Sequence, residues 1–183
     1  SNAASAACYS GTLGAAEEAA LNGIPAIGVS LDTLSPDADF SAVVKYFPNI
    51  FRKLISDYPT ERGIYYNVNF PNIPAEEIKG IRVGHQGLGR WIREFRDWDP
   101  TVYSKHKLTP EMLGQSSVPM CEEGEKLYMM VGDFLDDEAN NSRSDHWIMR
   151  EGYISIVPNN LDVTDYAEKS RLESAGFDTD FAK

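Results

Sequence analysis

Between Phe40 and Tyr58 the apolar side chains fall at helical spacing: Phe40, Val43, Val44, Phe47, Phe51, Leu54 and Ile55. Such a stripe gives a helix one face to bury, so the pattern predicts an amphipathic helix over 40–58. Pro48 lacks the amide hydrogen that a helix interior needs and is expected to kink or split it. Upstream, Leu13–Leu21 is Ala-rich and predicts a second helix, ended by Gly23 and Pro25. Pro25–Leu31 is a short, nearly continuous apolar run, the pattern of a buried parallel strand. Asp32–Asp39 is a polar loop containing Ser35-Pro36, and Gly63–Phe70 predicts a second strand, ended by Pro71 and Pro74. The order α-β-α-β over residues 10–70 is that of an α/β, Rossmann-like doubly wound sheet. Two strands do not make such a sheet, so the expectation is a fold whose N-terminal strands are missing from this chain.

After Ile78 the pattern changes. Ile81–Gly84, Trp91–Trp98 and Lys126–Phe134 are expected as strands or the two sides of a long hairpin arm. Thr101–Glu125 between them is rich in Pro, Ser, Gly and charge. Trp147–Val157 reads as another apolar strand and Asp165–Ala175 as a closing helix, capped by Gly176. The expected organisation is residues 1–75 as the second half of an α/β core, and residues 76–183 as its return strands with an arm and a closing helix.

Charge narrows the choice of partners. With a net charge of −11, this chain lacks the basic surface that a nucleic-acid polymer requires. A phosphate ligand would also be repelled by the average field, so it needs a local positive source: a helix N-terminus, a few basic side chains, or a cation. No apolar run approaches the roughly 20 residues of a membrane span, and no signal peptide is visible, so no membrane partner is expected. Cys8 and Cys121 stand far apart without metal-site spacing, and read as small apolar residues of a reduced, cytoplasmic protein.

The chemistry concentrates near the start, in Ser10-Gly11-Thr12, just ahead of the Ala-rich helix. Hydroxyl residues here can cap the helix, and the free N–H groups of its first turn form a site for phosphate or another anion. An ordinary N-cap uses the same residues, and both readings stand on the motif alone. Further blocks follow in order: Gly23-Ile24-Pro25-Ala26-Ile27-Gly28-Val29-Ser30-Leu31, Asn67-Val68-Asn69-Phe70-Pro71, Ile78-Lys79-Gly80-Ile81-Arg82-Val83, and Arg150–Pro158 with Leu161-Asp162-Val163-Thr164. Together they resemble the second part of the SurE family.

The resemblance implies a metal-dependent 5′-nucleotidase, or acid phosphatase, that hydrolyses nucleoside monophosphates to nucleoside and phosphate. It implies Mg2+ or Mn2+ as cofactor, and homodimers or homotetramers built partly by the hairpin arm. In the family an aspartate pair, a serine and an asparagine hold the metal. The aspartates and that asparagine match nothing here, so no metal ligand is assigned in this chain. A second family asparagine, near the substrate phosphate, falls on Asn2, the catalytic candidate, while Ser10, Gly11 and Thr12 match the phosphate-binding residues. Ser1-Asn2-Ala3 equally matches the scar of a cleaved purification tag, and Ala3–Ala7 departs from the Gly-Asp-Asp run usual in the family. On this basis the chain alone is expected to be inactive. The alternative is a catalytically silent fragment or oligomerisation module, and a third reading is an anion-binding domain without hydrolysis.

Other constellations read as structural. His85, His106 and His146 lack ligand spacing and are expected as surface or packing residues. Asp136-Asp137-Glu138 is expected as a solvated turn, and Lys105-His106-Lys107 as an exposed loop. Trp91, Phe95 and Trp98, with Arg93 and Arg96 between them, could stack a nucleobase, but a hairpin arm burying an aromatic face against a partner subunit is preferred.

Overall fold

The computed structural model describes residues 1–33, 35 and 37–180, the side chain of His106 excepted; Pro36 of the first polar loop therefore lies outside the described residues. A six-residue 3-10 turn, Ala4–Tyr9, leads into helix α1 (Gly11–Leu21). Ser10 caps that helix, its hydroxyl accepting the Leu13 amide at 3.0 Å. Strand β1 (Ile27–Leu31) follows, then α2 (Ser41–Ser56). Helix α2 runs unbroken through Pro48, so the proline does not split it. Proline removes one hydrogen bond, and the carbonyl it frees belongs to Val44, a solvent-exposed residue where water can take over. On the other side Ala42, Ile50, Phe47 and Leu54 pack into the core, which supports a continuous helix across the defect.

Strand β2 (Ile64–Phe70) and the short β3 (Gly80–Val83) come next. The expected strand at 91–98 is two strands, β4 (Gly89–Ile92) and β5 (Phe95–Asp97), separated where Arg93 adopts a positive φ of 54°. Helix α3 (Val102–His106) is a short turn, followed by β6 (Tyr128–Met130) and β7 (Asp133–Asp136). Residues 147–150, expected as the start of a strand, belong instead to helix α4 (Asp145–Arg150). Ser144 caps α4 by accepting the Trp147 amide, and Gly152, at φ 83°, turns the chain into β8 (Tyr153–Asn160). A cap and a left-handed glycine bracket the helix, and these end signals outweigh the local apolar run. Helix α5 (Tyr166–Ser174) is the expected closing helix, its N-cap Asp165 accepting the Ala167 and Glu168 amides and Gly176 following its end at φ 77°.

The main sheet has the order β1-β2-β8-β3. Strands β1 and β2 are parallel, β8 is antiparallel to β2, and β3 is parallel to β8. One face is apolar: Leu31, Val68, Phe70, Ile154 and Ile156 are buried with Ala42 and Ile50 of α2. The other face carries α1, whose Leu13, Ala16 and Ala20 pack with Tyr65 and Ala26. Helices on both faces of a mixed sheet are the doubly wound α/β architecture that the sequence predicts.

The chain divides into two compact units, Ser1–Leu88 with Glu138–Lys183, and Gly89–Asp137. The return strand β8 and helix α5 thus fall in the same unit as the first seventy-five residues. The second unit is the hairpin arm, in which β4 pairs antiparallel with β7 and β5 with β6. Among the described residues no helix is long and apolar enough to cross a membrane.

Candidate functional site

Alternation along the strands puts a polar set on the α1 side of the sheet. In register, Ser30 stands opposite Asn69, Gly28 opposite Asn67, and Asn69 opposite Ser155, and paired residues share a face. Asn67, Asn69 and Ser155 are completely buried. Buried amides are costly unless bonded, and here the N-terminal segment satisfies them. The Asn2 main-chain N–H donates to Asn69 Oδ1 at 2.9 Å, and its carbonyl accepts from Asn67 Nδ2 at 2.8 Å. Asn69 Nδ2 donates to Asn67 Oδ1 at 2.8 Å, so each amide fixes the orientation of the other. The Asn2 side chain donates to Ser30 Oγ at 2.6 Å.

Two residues on, Ala4 adopts a positive φ of 50°, unusual for a residue with a Cβ. Its amide donates to Asp145 Oδ2 at 2.9 Å, while Asp145 Oδ1 accepts the amides of Gly87 at 3.0 Å and His146 at 2.8 Å. Asp145 is fully buried at the start of α4 and ties three chain segments together.

The Ser10-Gly11-Thr12 start of α1 lies along the same face of β1. A Cβ at Gly28 would stand 2.6 Å from Leu13 Cδ2 and 3.6 Å from the Thr12 methyl carbon, so the glycine lets the helix start approach the strand. Ser30, the partner of Asn2, lies two residues further on, about 7 Å along a strand. Asn2 and Thr12 thus lie against two same-face positions of β1, Ser30 and Gly28, two residues apart. Gly11 and Thr12 are exposed, and the first turn of α1 carries no acidic residue. Ser10 acts as the ordinary helix cap, while helix geometry leaves the earliest amides, at Gly11 and Thr12, to an outside partner. Asn67 and Asn69 were missed as candidates although their signal was legible: two amides in alternation on an otherwise apolar strand contradict strand preference.

Elsewhere in this unit, a cleft of about 410 Å³ is lined by Cys8, Glu17, Tyr65, His85, Gln86 and Asn159 among others. The Tyr65 hydroxyl donates to Glu17 at 2.7 Å and accepts from Asn159 at 3.3 Å. Burial, followed by the Glu17 carboxylate, pushes its phenol up to about 12, so Tyr65 is a neutral hydrogen-bonding group there and not a base.

Glu138 holds the loop after β3. It accepts the Leu88 amide at 2.8 Å, the Asn141 amide at 2.8 Å and a contact from His85 Nε2 at 3.2 Å. The Leu88 N–H first, then Asn141, hold the Glu138 carboxyl below its ordinary 4.5. A carboxyl lowered by folding stabilises the fold above its unfolded value, and that contribution is lost as pH falls through the folded value. A carbon-13 titration of Glu138 is expected to give a midpoint below 4.5; a midpoint at or above that value would mean that the Leu88 contact is not kept in solution.

The remaining candidates disperse. Strand β7 ends at Asp136, Asp137 pairs with Arg90, and Glu138 bonds the loop, so the acidic run does not converge. Arg93 and Arg96 both pair with Asp133. Trp91 meets Phe134 edge-on at 5.5 Å and Trp98 meets Tyr103 at 5.9 Å. Lys105 pairs with Asp99 at 2.9 Å, and the His106 side chain lies outside the described residues. Cys8 and Cys121, expected as small apolar residues, are exposed thiols: Cys8 lines the open cleft and Cys121 lies in the polar end of the arm. Among the described residues no three His, Cys, Asp or Glu side chains converge as a metal site, so those present do not by themselves fit a divalent cation.

Comparison with known proteins places this geometry in a family. A 5′-nucleotidase SurE of Bacteroides fragilis is 33% identical over 177 residues, covering 94% of this chain and 58% of that protein. One from Syntrophobacter fumaroxidans is 33% identical over 159 residues, covering 86% of this chain and 54% of that protein. The crystal structure of the SurE protein from Aquifex aeolicus superposes with a TM-score of 0.69 at 25% identity, covering 96% of this chain and 61% of that one. The chain therefore spans between half and two thirds of the length of these relatives. The family described as survival protein SurE matches residues 1–93, a span that takes in Asn2, Ser10, Gly11 and Thr12 and more than half of the 183 residues, and the chain belongs to that family.

Proposed function

We propose that this chain forms the phosphate-binding side of a 5′-nucleotidase, which hydrolyses nucleoside monophosphates to nucleoside and phosphate. The observation that carries the proposal is the exposed, acid-free start of α1 at Gly11 and Thr12, next to Asn2 on the same strand face. In a protein of net charge −11, such a start supplies the local positive potential that a phosphate needs. The amides of Gly11 and Thr12 and the Thr12 hydroxyl would donate to phosphate oxygens as negative charge develops on them. The Asn2 side chain would orient the same group.

Mg2+ or Mn2+ remains part of the proposal for the whole enzyme, whose cation would polarise the phosphate. No step is assigned to it on these residues, because their carboxylates do not converge. Assembly as a homodimer or homotetramer is also part of the proposal. Trp91, Phe95 and Met130 are at least half exposed on the arm, more apolar surface than an isolated arm should leave uncovered. A reducing cytoplasm suits the two free thiols.

Titration of nitrogen-15-labelled protein with adenosine 5′-monophosphate, and separately with inorganic phosphate, tests the proposal. Both are expected to move the Gly11 and Thr12 amides, and Thr12→Val to weaken binding by roughly tenfold, the worth of about one charge-assisted hydrogen bond. Phosphate release by this chain with Mn2+ is expected to stay at background. Shifts confined to other residues, or none, would overturn the assignment.

A further inference from the structure

The two buried asparagines of β2 and the buried aspartate of α4 have no apparent reason to be polar if the sheet is only a scaffold. Asn67 and Asn69 occupy positions where the opposite face of the same strand carries Val68 and Phe70, all with no exposed surface. What the amides touch is the main chain of one residue: Asn69 Oδ1 takes the N–H of Asn2, and Asn67 Nδ2 reaches its carbonyl. Because Asn69 also donates to Asn67, neither amide can rotate without breaking the pair, and the two form a fixed donor-acceptor fork. Two residues downstream, Asp145 holds the Ala4 amide across 141 residues of sequence. Ala4 keeps a left-handed backbone there, a conformation that persists only where its surroundings impose it.

We infer that Asn67, Asn69 and Asp145 are positioning residues that clamp the main chain on both sides of Ala3, and thereby fix where the Asn2 side chain stands beside Thr12. The inference rests on the phosphate-binding reading given above. The clamp acts through Asn2 and does not touch the ligand. Ser30, by receiving the Asn2 side-chain amide, sets its rotamer, while the fork sets its backbone. Ala3, Ala4 and Ala7 are buried but offer no polar side chain, and the hydrogen bonds to the Asn2 main chain come from Asn67 and Asn69.

A double-mutant cycle on the full chain tests this, with adenosine 5′-monophosphate as probe and the Gly11 and Thr12 amides as reporters. Asn69→Ala is expected to weaken binding roughly tenfold when Asn2 is present, and to have no further effect in an Asn2→Ala background, as for residues coupled through one group. An equal loss in both backgrounds would show that Asn69 only supports the fold, and would overturn the inference. Should Asn69→Ala not fold, Asp145→Asn serves in its place. One oxygen of the new amide can keep the Gly87 and His146 contacts, while its NH2 faces the Ala4 amide and cannot accept it. The same loss, cancelled by Asn2→Ala, is expected. If unmodified protein binds no nucleotide at Gly11 and Thr12, the phosphate-binding reading fails. The clamp is then judged by hydrogen exchange alone: faster exchange of the Asn2 and Ala4 amides in the variants upholds it, and unchanged exchange refutes it.

Discussion

Phe70→Ala is expected to lower the free energy of unfolding by about 3–5 kcal/mol, the cost of lost burial plus a cavity that the core only partly closes. Among the described residues Phe70 is the largest side chain without exposed surface, and it closes the apolar face at the end of β2, packed with Leu31 and Ile154 and covered by α2. Phe51→Ala, on α2 at 44% exposure, is the internal comparison and should cost under about 1 kcal/mol. Urea unfolding followed by circular dichroism measures both. Equal, small effects would mean that α2 does not close over this face in solution. Asn69 precedes Phe70 and points to the opposite face, so loss of Phe70 should also loosen the Asn2 contacts before the chain unfolds globally.

How much of this fold can be seen in the residues depends on how local each signal is. Helix α2 was legible because its apolar spacing is intrinsic to one segment, and that stripe also explains why Pro48 is tolerated. Helix α4 was not, since Trp147, Ile148 and Met149 followed by Tyr153–Val157 read as one apolar strand. Only the Ser144 cap and the left-handed Gly152 separate a helix from a strand there. The arm was legible as a hairpin, but its division at Arg93 was not, because nothing in an arginine announces a positive φ.

The site divides in the same way. Ser10-Gly11-Thr12 before an Ala-rich run is a contiguous signal and could be found directly. Asn67 and Asn69 sat within a block that marked the family resemblance, yet their shared face gave a physical reason to single them out. Asp145 carries no such mark. It works by gathering Ala4, Gly87 and His146, and two of those partners are 141 and 58 residues away, a convergence that only the folded chain displays.

Gly84→Ala is expected to destabilise the protein by at least about 3 kcal/mol, at the upper end for overpacking, because the clash is with main chain. A Cβ there would stand 2.4 Å from the carbonyl oxygen of Arg143 and 2.5 Å from Ile148 Cδ1. The methyl of Ile148 could turn aside, but the carbonyl cannot, since it accepts the His85 amide at 2.9 Å. Gly28→Ala makes the informative contrast. Its nearest obstacle, at 2.6 Å, is the far end of the Leu13 side chain, which can change rotamer at a cost of about 1 kcal/mol. Thermal melts should therefore rank Gly84→Ala well below Gly28→Ala, and the reverse order would show that the loop after β3 yields more readily than α1. The Arg143 carbonyl lies next to Ser144 and Asp145, so displacing it moves the carboxylate that holds Ala4 and Gly87. A Gly84→Ala protein that still folds should accordingly show faster exchange of the Ala4 amide, which links the packing of this loop to the placement of Asn2.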